Sequence, residues 1–358
     1  ERVTGRAKYT GDIDIPGMLV ARVLRSPRPH ARIARIDASR AEAVPGVRAV
    51  ITYRDAPKVM IFGHRQYALN DRVRFMGEAV AALAAIDAET ADKALKLITV
   101  EYEALPFVLD PEEALKPDAP QLFPDGNLEG QPRVLNRGDV EQGLRESDSV
   151  VEHAYHCPTM WSGGMEPRAC VAQWDGDHLT LWASTQAPFR VHGSLAAMFN
   201  VPDANVRVIS SYVGGGFGTK SAPHTDEALT AMLARKARLP VKLQYSREEE
   251  ILDSNTRFET RIYVKVGVKK DMTLHALHVK AYINQGAYHT RLGGLGNQAT
   301  HMYKAPHVRT EQYRVHTNIP NTGPTRGVGD PQETVAIESV RDEIAIEMGW
   351  DIPANVKL

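Results

Sequence analysis

Only two cysteines, Cys157 and Cys170, occur in 358 residues, with no Cys-x-x-Cys pair and no spacing that suits an iron–sulfur cluster or a structural zinc. The chain cannot hold such a cluster alone. Two thiols in so large a protein fit a reducing compartment, with a single disulfide as the other option. No apolar run reaches the roughly 20 residues of a membrane helix, and no charged-then-apolar leader opens the chain. A cytoplasmic protein is therefore expected, with a removed leader left open because Glu1 rather than Met comes first. Charge of one sign is also lacking: 43 Lys and Arg stand against 44 Asp and Glu, which removes the basic excess that nucleic acid or an anionic membrane would require. The 13 histidines form no His-Glu-x-x-His or comparable ligand pair. No repeat with a period of about 20–50 residues appears, which disfavours solenoids and propellers.

What is present is an ordinary globular composition, 43% apolar and 24% charged, with room for two or three domains. Apolar and polar positions alternate over 18–26 and 31–37 as in strands, and 79–86 is a short apolar run suited to a buried strand. Ala91, Ala94, Leu95 and Ile98 recur at helical spacing before 98–102 turns β-like. Six prolines between Pro106 and Pro132 mark an extended connector. This divides the chain into 1–110, a connector at 111–140, and 141–358. The last region shows strand patterns at 150–157, 169–174, 178–184 and 205–211, and helices at 189–199 and 225–238. A long hairpin follows around Lys270-Asp271, flanked by 261–269 and 273–283. The final helix, 332–348, is expected to turn Val335, Ile337, Val340, Ile344 and Met348 toward a core.

The run Gly214-Gly215-Gly216-Phe217-Gly218-Thr219-Lys220 lies between an apolar strand and a helix. Glycines there allow positive φ and close approach to a ligand, and the loop's N–H groups with the following helix N-terminus form an anion cradle. A P-loop would need glycine where Thr219 stands, and Gly-x-Gly-x-x-Gly fails at the same residue without an early βαβ unit. A plain glycine-rich strand-to-helix turn is the remaining local alternative.

Neighbouring segments favour the cradle. Met165-Glu166-Pro167-Arg168, Ser184-Thr185-Gln186, the glycine loop and Thr325-Arg326-Gly327-Val328-Gly329-Asp330, in that order, resemble the molybdenum-binding large subunit of the xanthine dehydrogenase and aldehyde oxidase family of molybdenum hydroxylases. Arg2-Val3-Thr4-Gly5-Arg6-Ala7-Lys8-Tyr9-Thr10-Gly11-Asp12, Phe75-Met76-Gly77-Glu78 and Val100-Glu101-Tyr102-Glu103 resemble that family's hammerhead domain. The resemblance implies an α+β protein, an N-terminal α/β hammerhead domain followed by a mixed α/β molybdopterin-binding domain. It also implies that the metal is held by a pterin dithiolene, in the cytosine dinucleotide form, rather than by side chains. Gln186 matches the position whose amide approaches an oxygen ligand of the metal, Phe217 and Gly218 the segment lying against it, and Arg326 with Gly327 the segment beside the metal and pterin. Gly214, Gly215 and Gly216 complete the cofactor-binding set. Arg291 falls near a substrate-orienting arginine of purine-acting members.

Two departures bear on substrate. Purine-oxidising relatives carry glutamate where Ser221 stands and phenylalanine where Val328 stands, so xanthine is disfavoured and a nicotinate-like heterocycle or an aldehyde is expected, hydroxylated with oxygen from water. The sequence stops where the family's large subunit is half complete. The Gly-x-Gly-Glu motif whose glutamate serves as general base is absent, and Gly77-Glu78 belongs to the hammerhead segment. No catalytic residue is therefore assigned here. A second molybdopterin-binding chain is expected to bring the base, with iron–sulfur and FAD subunits accepting the electrons. A non-catalytic scaffold half of such a complex is the alternative.

Overall fold

The computed structural model describes residues 1–61, 65–288, 294–295 and 298–350. The chain is α+β, with two large sheets and one small one. The seven-stranded sheet is organised around Ala79–Ala85, whose sequence AVAALAA is buried at every position. From Ala81 onward, alternate side chains enter opposite cores. Ala82 and Ala84 pack toward the helix Thr225–Ala237, and Val80, Ala81, Leu83 and Ala85 toward Ala91 and Ala94 of the helix Ala88–Leu95. A strand covered on both faces reads as a continuous apolar run, and small side chains let the two helices approach.

Ala79–Ala85 pairs antiparallel with Val47–Thr52 on one side and Leu19–Arg25 on the other. Leu19 and Val20 then pair in parallel with Val241 and Lys242. The sheet continues through Ala169–Asp175 and His178–Ala183 to the edge strand Val206–Ile209. The expected boundary near residue 110 is thus crossed by one continuous sheet. The small sheet, Arg72–Val73, Ala31–Asp37 and Thr99–Ala104, belongs to the N-terminal region.

The second large sheet runs Arg133–Arg137, His307–His316, Leu274–Gly286, Thr260–Val268, Ser149–Cys157. Its central pair is the expected hairpin, closed by a turn in which Met272 adopts φ 68°. The helix Asp330–Met348 covers one face with Ile337, Val340 and Ile344. Val335, expected in that core, is instead 53% exposed, because the helix presents only one stripe to the sheet.

The proline-rich connector is less extended than its composition suggested. Val108, Leu122 and Phe123 are buried against Tyr288 and Val315, and the Asn127 amide donates to the carbonyls of Ala114 and Pro120. Arg133–Arg137, inside the expected connector, is a paired edge strand.

Candidate functional site

After the edge strand Val206–Ile209 the chain enters the glycine loop, and the next helix starts only at Thr225. That helix carries buried Asp226 and Glu227 in its first turn, and Glu227 Oε2 accepts the His224 N–H at 2.5 Å. Asp226, held low by His224 and Arg168, already places one negative charge in that first turn, while burial pushes the Glu227 carboxyl up. The glycine loop itself is anchored through its backbone. The N–H of Gly214 donates to Glu166 Oε2 (2.7 Å), that of Gly218 to Gln186 Oε1 (3.0 Å) and that of Thr219 to Gly216 O (2.8 Å). Between these anchors the N–H groups of Gly215, Gly216 and Phe217 have no acceptor among the described residues. Gly215 has φ 103° and Phe217 φ 48° on either side of Gly216, which lies outside the left-handed region, and alternation of hand is a feature of backbone that binds anions.

Gly214 and Gly218 have their donors spent within the protein. Protein atoms crowd the positions a side chain would take: a Cβ would lie 2.5 Å from Glu166 Cβ at Gly214, 2.4 Å from Gln186 Oε1 at Gly216, and 2.6 Å from the Pro324 carbonyl oxygen at Gly218.

Gln186 follows the strand His178–Ala183 and is tied to the loop twice. Its N–H donates to Lys220 O at 2.8 Å, and its Oε1 accepts from Gly218. Because a backbone N–H can only donate, this bond fixes the amide orientation and leaves the Nε2 protons without a protein acceptor among the described residues. Arg326 joins from the other side, its N–H donating to Phe217 O at 2.8 Å, while its carbonyl accepts from Arg257. Gln186, Phe217 and Arg326 therefore meet on one face, where all three are exposed. Met165 (85% exposed), Phe189 (89%), Phe217 (43%) and Val328 (38%) are exposed apolar side chains on the segments that carry these residues. Ser221 is tied inward, its hydroxyl donating to Gly218 O at 2.5 Å. Arg291 lies outside the described residues.

Beneath the loop lies a buried layer of charge that motif reasoning missed. Lys220 is 1% exposed and its Nζ donates to Glu166 O (2.8 Å) and Oε2 (3.0 Å). Burial lowers its pKa, an effect partly opposed by the Glu166 carboxylate. A lysine so committed is not available to a nucleotide phosphate, which disposes of the P-loop alternative. Arg168 is buried beside it, its guanidinium bonding Thr219 O and lying 3.7 Å from Asp226 Oδ1. Burial pushes the Asp226 carboxyl up, but the His224 hydrogen bond and the Arg168 charge outweigh it and hold it low. The one available signal was the clustering of charged residues at Glu166, Arg168, Lys220, Asp226 and Glu227, an odd density around an apolar strand and helix.

Among the described residues two clusters have ligand-like side chains, and neither suits a metal. Cys170, Asp226 and Glu227 are fully buried, with the Cys170 thiol donating to Asp226 and its pKa raised by burial. Glu146, at the end of the helix Val140–Glu146, lies beside His275 and His307 of the second sheet, but His307 Nδ1 accepts the Asp139 N–H at 3.0 Å, which puts the ring proton on Nε2, the nitrogen a metal would need. No helix of the described residues is long and apolar enough to cross a membrane.

The family model of the molybdopterin cofactor-binding domain matches residues 124–357, and that of the aldehyde oxidase and xanthine dehydrogenase a/b hammerhead domain matches 4–106. The chain is 37% identical to a probable xanthine dehydrogenase subunit of Bacillus subtilis, over 98% of this chain and 48% of that protein. It is 36% identical to the nicotinate dehydrogenase large molybdopterin subunit of Eubacterium barkeri, over 100% of this chain and 86% of that one. The solved structure of quinoline 2-oxidoreductase from Pseudomonas putida 86 superposes with a TM-score of 0.91 at 32% identity, covering 98% of this chain and 47% of that one. The chain thus spans about half the length of the first of these relatives (48%) and most of the second (86%). It belongs to the molybdenum hydroxylases of the xanthine dehydrogenase and aldehyde oxidase family, as a part of their molybdopterin-binding subunit.

Proposed function

We propose that this chain forms one wall of a molybdopterin site at which an electron-poor carbon, of a nicotinate-like heterocycle in preference to a purine, is hydroxylated with oxygen from water. One observation carries the reading: the N–H groups of Gly215, Gly216 and Phe217, the Gln186 Nε2 and the Arg326 guanidinium offer only donors, with no ligating side chain among them. Such a set suits an anionic cofactor whose metal is held by its own dithiolene. Ser184 Oγ, Thr325 Oγ1 and Trp161 Nε1, on segments flanking the loop, are buried without partners, as expected where a polar cofactor completes the hydrogen bonding. Bound there, molybdopterin, in its cytosine dinucleotide form, would supply the redox and oxygen-transfer chemistry.

The chain's own residues hold and orient. The three N–H groups fix the anion without titrating, Gln186 donates through Nε2 while Oε1 stays anchored, and Arg326 adds a permanent charge. Met165, Phe189 and Val328 would exclude water once the opposite wall closes on them. A second molybdopterin-binding segment would bring the general base and the remaining pterin contacts, and iron–sulfur and FAD subunits would take the electrons. For substrate, Ser221 is no acid and its hydroxyl is spent on Gly218, and Val328 offers no ring, so neither of these two positions recognises a purine.

The test is to purify the assembled complex and measure molybdenum, pterin and turnover in the natural protein and in Gln186→Ala and Phe217→Gly. The reading expects metal in the natural protein and losses of turnover of about a hundredfold in Gln186→Ala. Unchanged metal and turnover in both variants would favour a scaffold without cofactor contacts.

A further inference from the structure

The glycine loop is fixed at both ends by one pair of side chains. Glu166 grips Gly214 by the main chain and the side chain together, its N–H donating to Gly214 O at 3.0 Å and its Oε2 accepting the Gly214 N–H at 2.7 Å. At the other end Lys220 reaches back under the loop, its Nζ donating to both Glu166 O and Glu166 Oε2. Lys220 O in turn receives the Gln186 N–H at 2.8 Å and the Thr185 hydroxyl at 3.2 Å. Arg168 adds a bond to Thr219 O.

We infer that Glu166 and Lys220 are positioning residues, a buried ion-paired brace that holds the two ends of the loop at fixed separation and so aims the Gly215, Gly216 and Phe217 N–H groups outward. The loop needs such a brace because its middle makes few bonds of its own: the N–H groups of Gly215, Gly216 and Phe217 have no acceptor among the described residues, and Gly215 and Gly218 carry positive φ. Lys220 also couples the loop to Gln186, since the lysine carbonyl positions the glutamine main chain while Gly218 positions its amide. A buried ion pair is weak evidence for stability but can specify a geometry, and here both charges converge on the backbone they would specify.

The test replaces the pair together, because either single apolar substitution strands a buried charge. In the full-length protein, Glu166→Met/Lys220→Met is neutral and similar in volume, and the fold is checked by its thermal midpoint. The first readout needs no cofactor: hydrogen exchange of the bonded amides of Gly214, Gly218 and Thr219 should accelerate by about tenfold or more, while exchange in the strand Ala79–Ala85 stays unchanged. Unchanged loop exchange in the folded double variant overturns the brace. Should the double variant fail to fold, Glu166→Gln takes its place, with the same expected direction and the same refuting result. The second readout rests on the molybdopterin reading: in the loaded complex, turnover should fall about tenfold or more with KM within about twofold, and the Mo(V) paramagnetic resonance spectrum should shift. Wild-type turnover and spectrum from a loosened loop overturn the aiming role. Absence of molybdenum from the natural protein would sink the molybdopterin reading instead, and the exchange measurement would still decide the brace.

Discussion

Gly216→Ala and Gly218→Ala add the same methyl group to one loop and should fail for different reasons. At Gly216 the backbone is not in the left-handed region, and the new Cβ would meet Gln186 Oε1 at 2.4 Å, Cδ at 2.5 Å and Cγ at 2.9 Å. These atoms end a flexible, exposed side chain, so Gln186 swings away and loses its bond to Gly218. The cost to folding is one net hydrogen bond, about 0.5–1.5 kcal/mol. The cost to the site is the positioned amide, which should lower turnover by on the order of a hundredfold. At Gly218, with φ 96°, the new Cβ would lie 2.6 Å from Pro324 O and 2.9 Å from Pro324 C, which is backbone and cannot swing. Strained left-handed backbone adds about 1–3 kcal/mol to the clash, so Gly218→Ala should lose at least about 3 kcal/mol of stability. Thermal or urea unfolding beside metal content and turnover separates the two. A further variant, Gln186→Ala/Gly216→Ala, removes the clashing atoms and should unfold like Gln186→Ala alone. The reasoning fails if Gly216→Ala keeps wild-type turnover, or if Gly218→Ala is as stable as Gly216→Ala.

Arg326→Lys should retain the charge but not the forked donors, lowering cofactor retention through dilution and gel filtration, whereas Arg326→Met should lower it further. In substrate competition, xanthine should have a smaller kcat/KM than nicotinate-like heterocycles, and a preference for xanthine would overturn the reading of Ser221 and Val328. The buried Glu78, with its pKa raised by burial to about 7, accepts from Tyr288 OH and the Arg74 N–H. A carboxyl raised in the folded state favours folding while protonated, so its contribution should be full below about pH 4.5 and fade as pH rises toward 7, by up to about 3 kcal/mol. Glu78→Gln should flatten that limb of the stability–pH curve, and an unaltered limb would refute the assignment. On the last helix, Val335→Ser should change stability by less than about 0.5 kcal/mol, while Ile344→Ala, fully buried, should cost about 2–4 kcal/mol in denaturant unfolding.

Much of the architecture was legible in the sequence because burial leaves a periodic trace. The run AVAALAA suited a buried strand and proved to be one covered on both sides, and the 3.6-residue spacing of Ile337, Val340 and Ile344 marked a helix against a core. Val335 misled because it is apolar near that stripe without belonging to it. His307–His316 and Arg133–Arg137 escaped notice because edge and half-covered strands are mostly polar, and their pairing is decided by main-chain bonds to distant segments. The connector hid its packing for a similar reason: proline content speaks of local backbone, not of the contacts Leu122 and Phe123 find with Tyr288 and Val315.

The sequence by itself determined the family and the order of its motif segments, because residue types and spacing are enough for those. Only the tertiary structure decided which donors remain open. Gly214 and Gly218 look the same as Gly215 and Gly216 in one dimension, yet two of the four N–H groups are consumed by Glu166 and Gln186, residues 48 and 32 positions away. It likewise decided that Lys220, placed by sequence at a P-loop lysine position, is a buried prop under the loop, because burial and partner choice depend on what the chain brings together from afar.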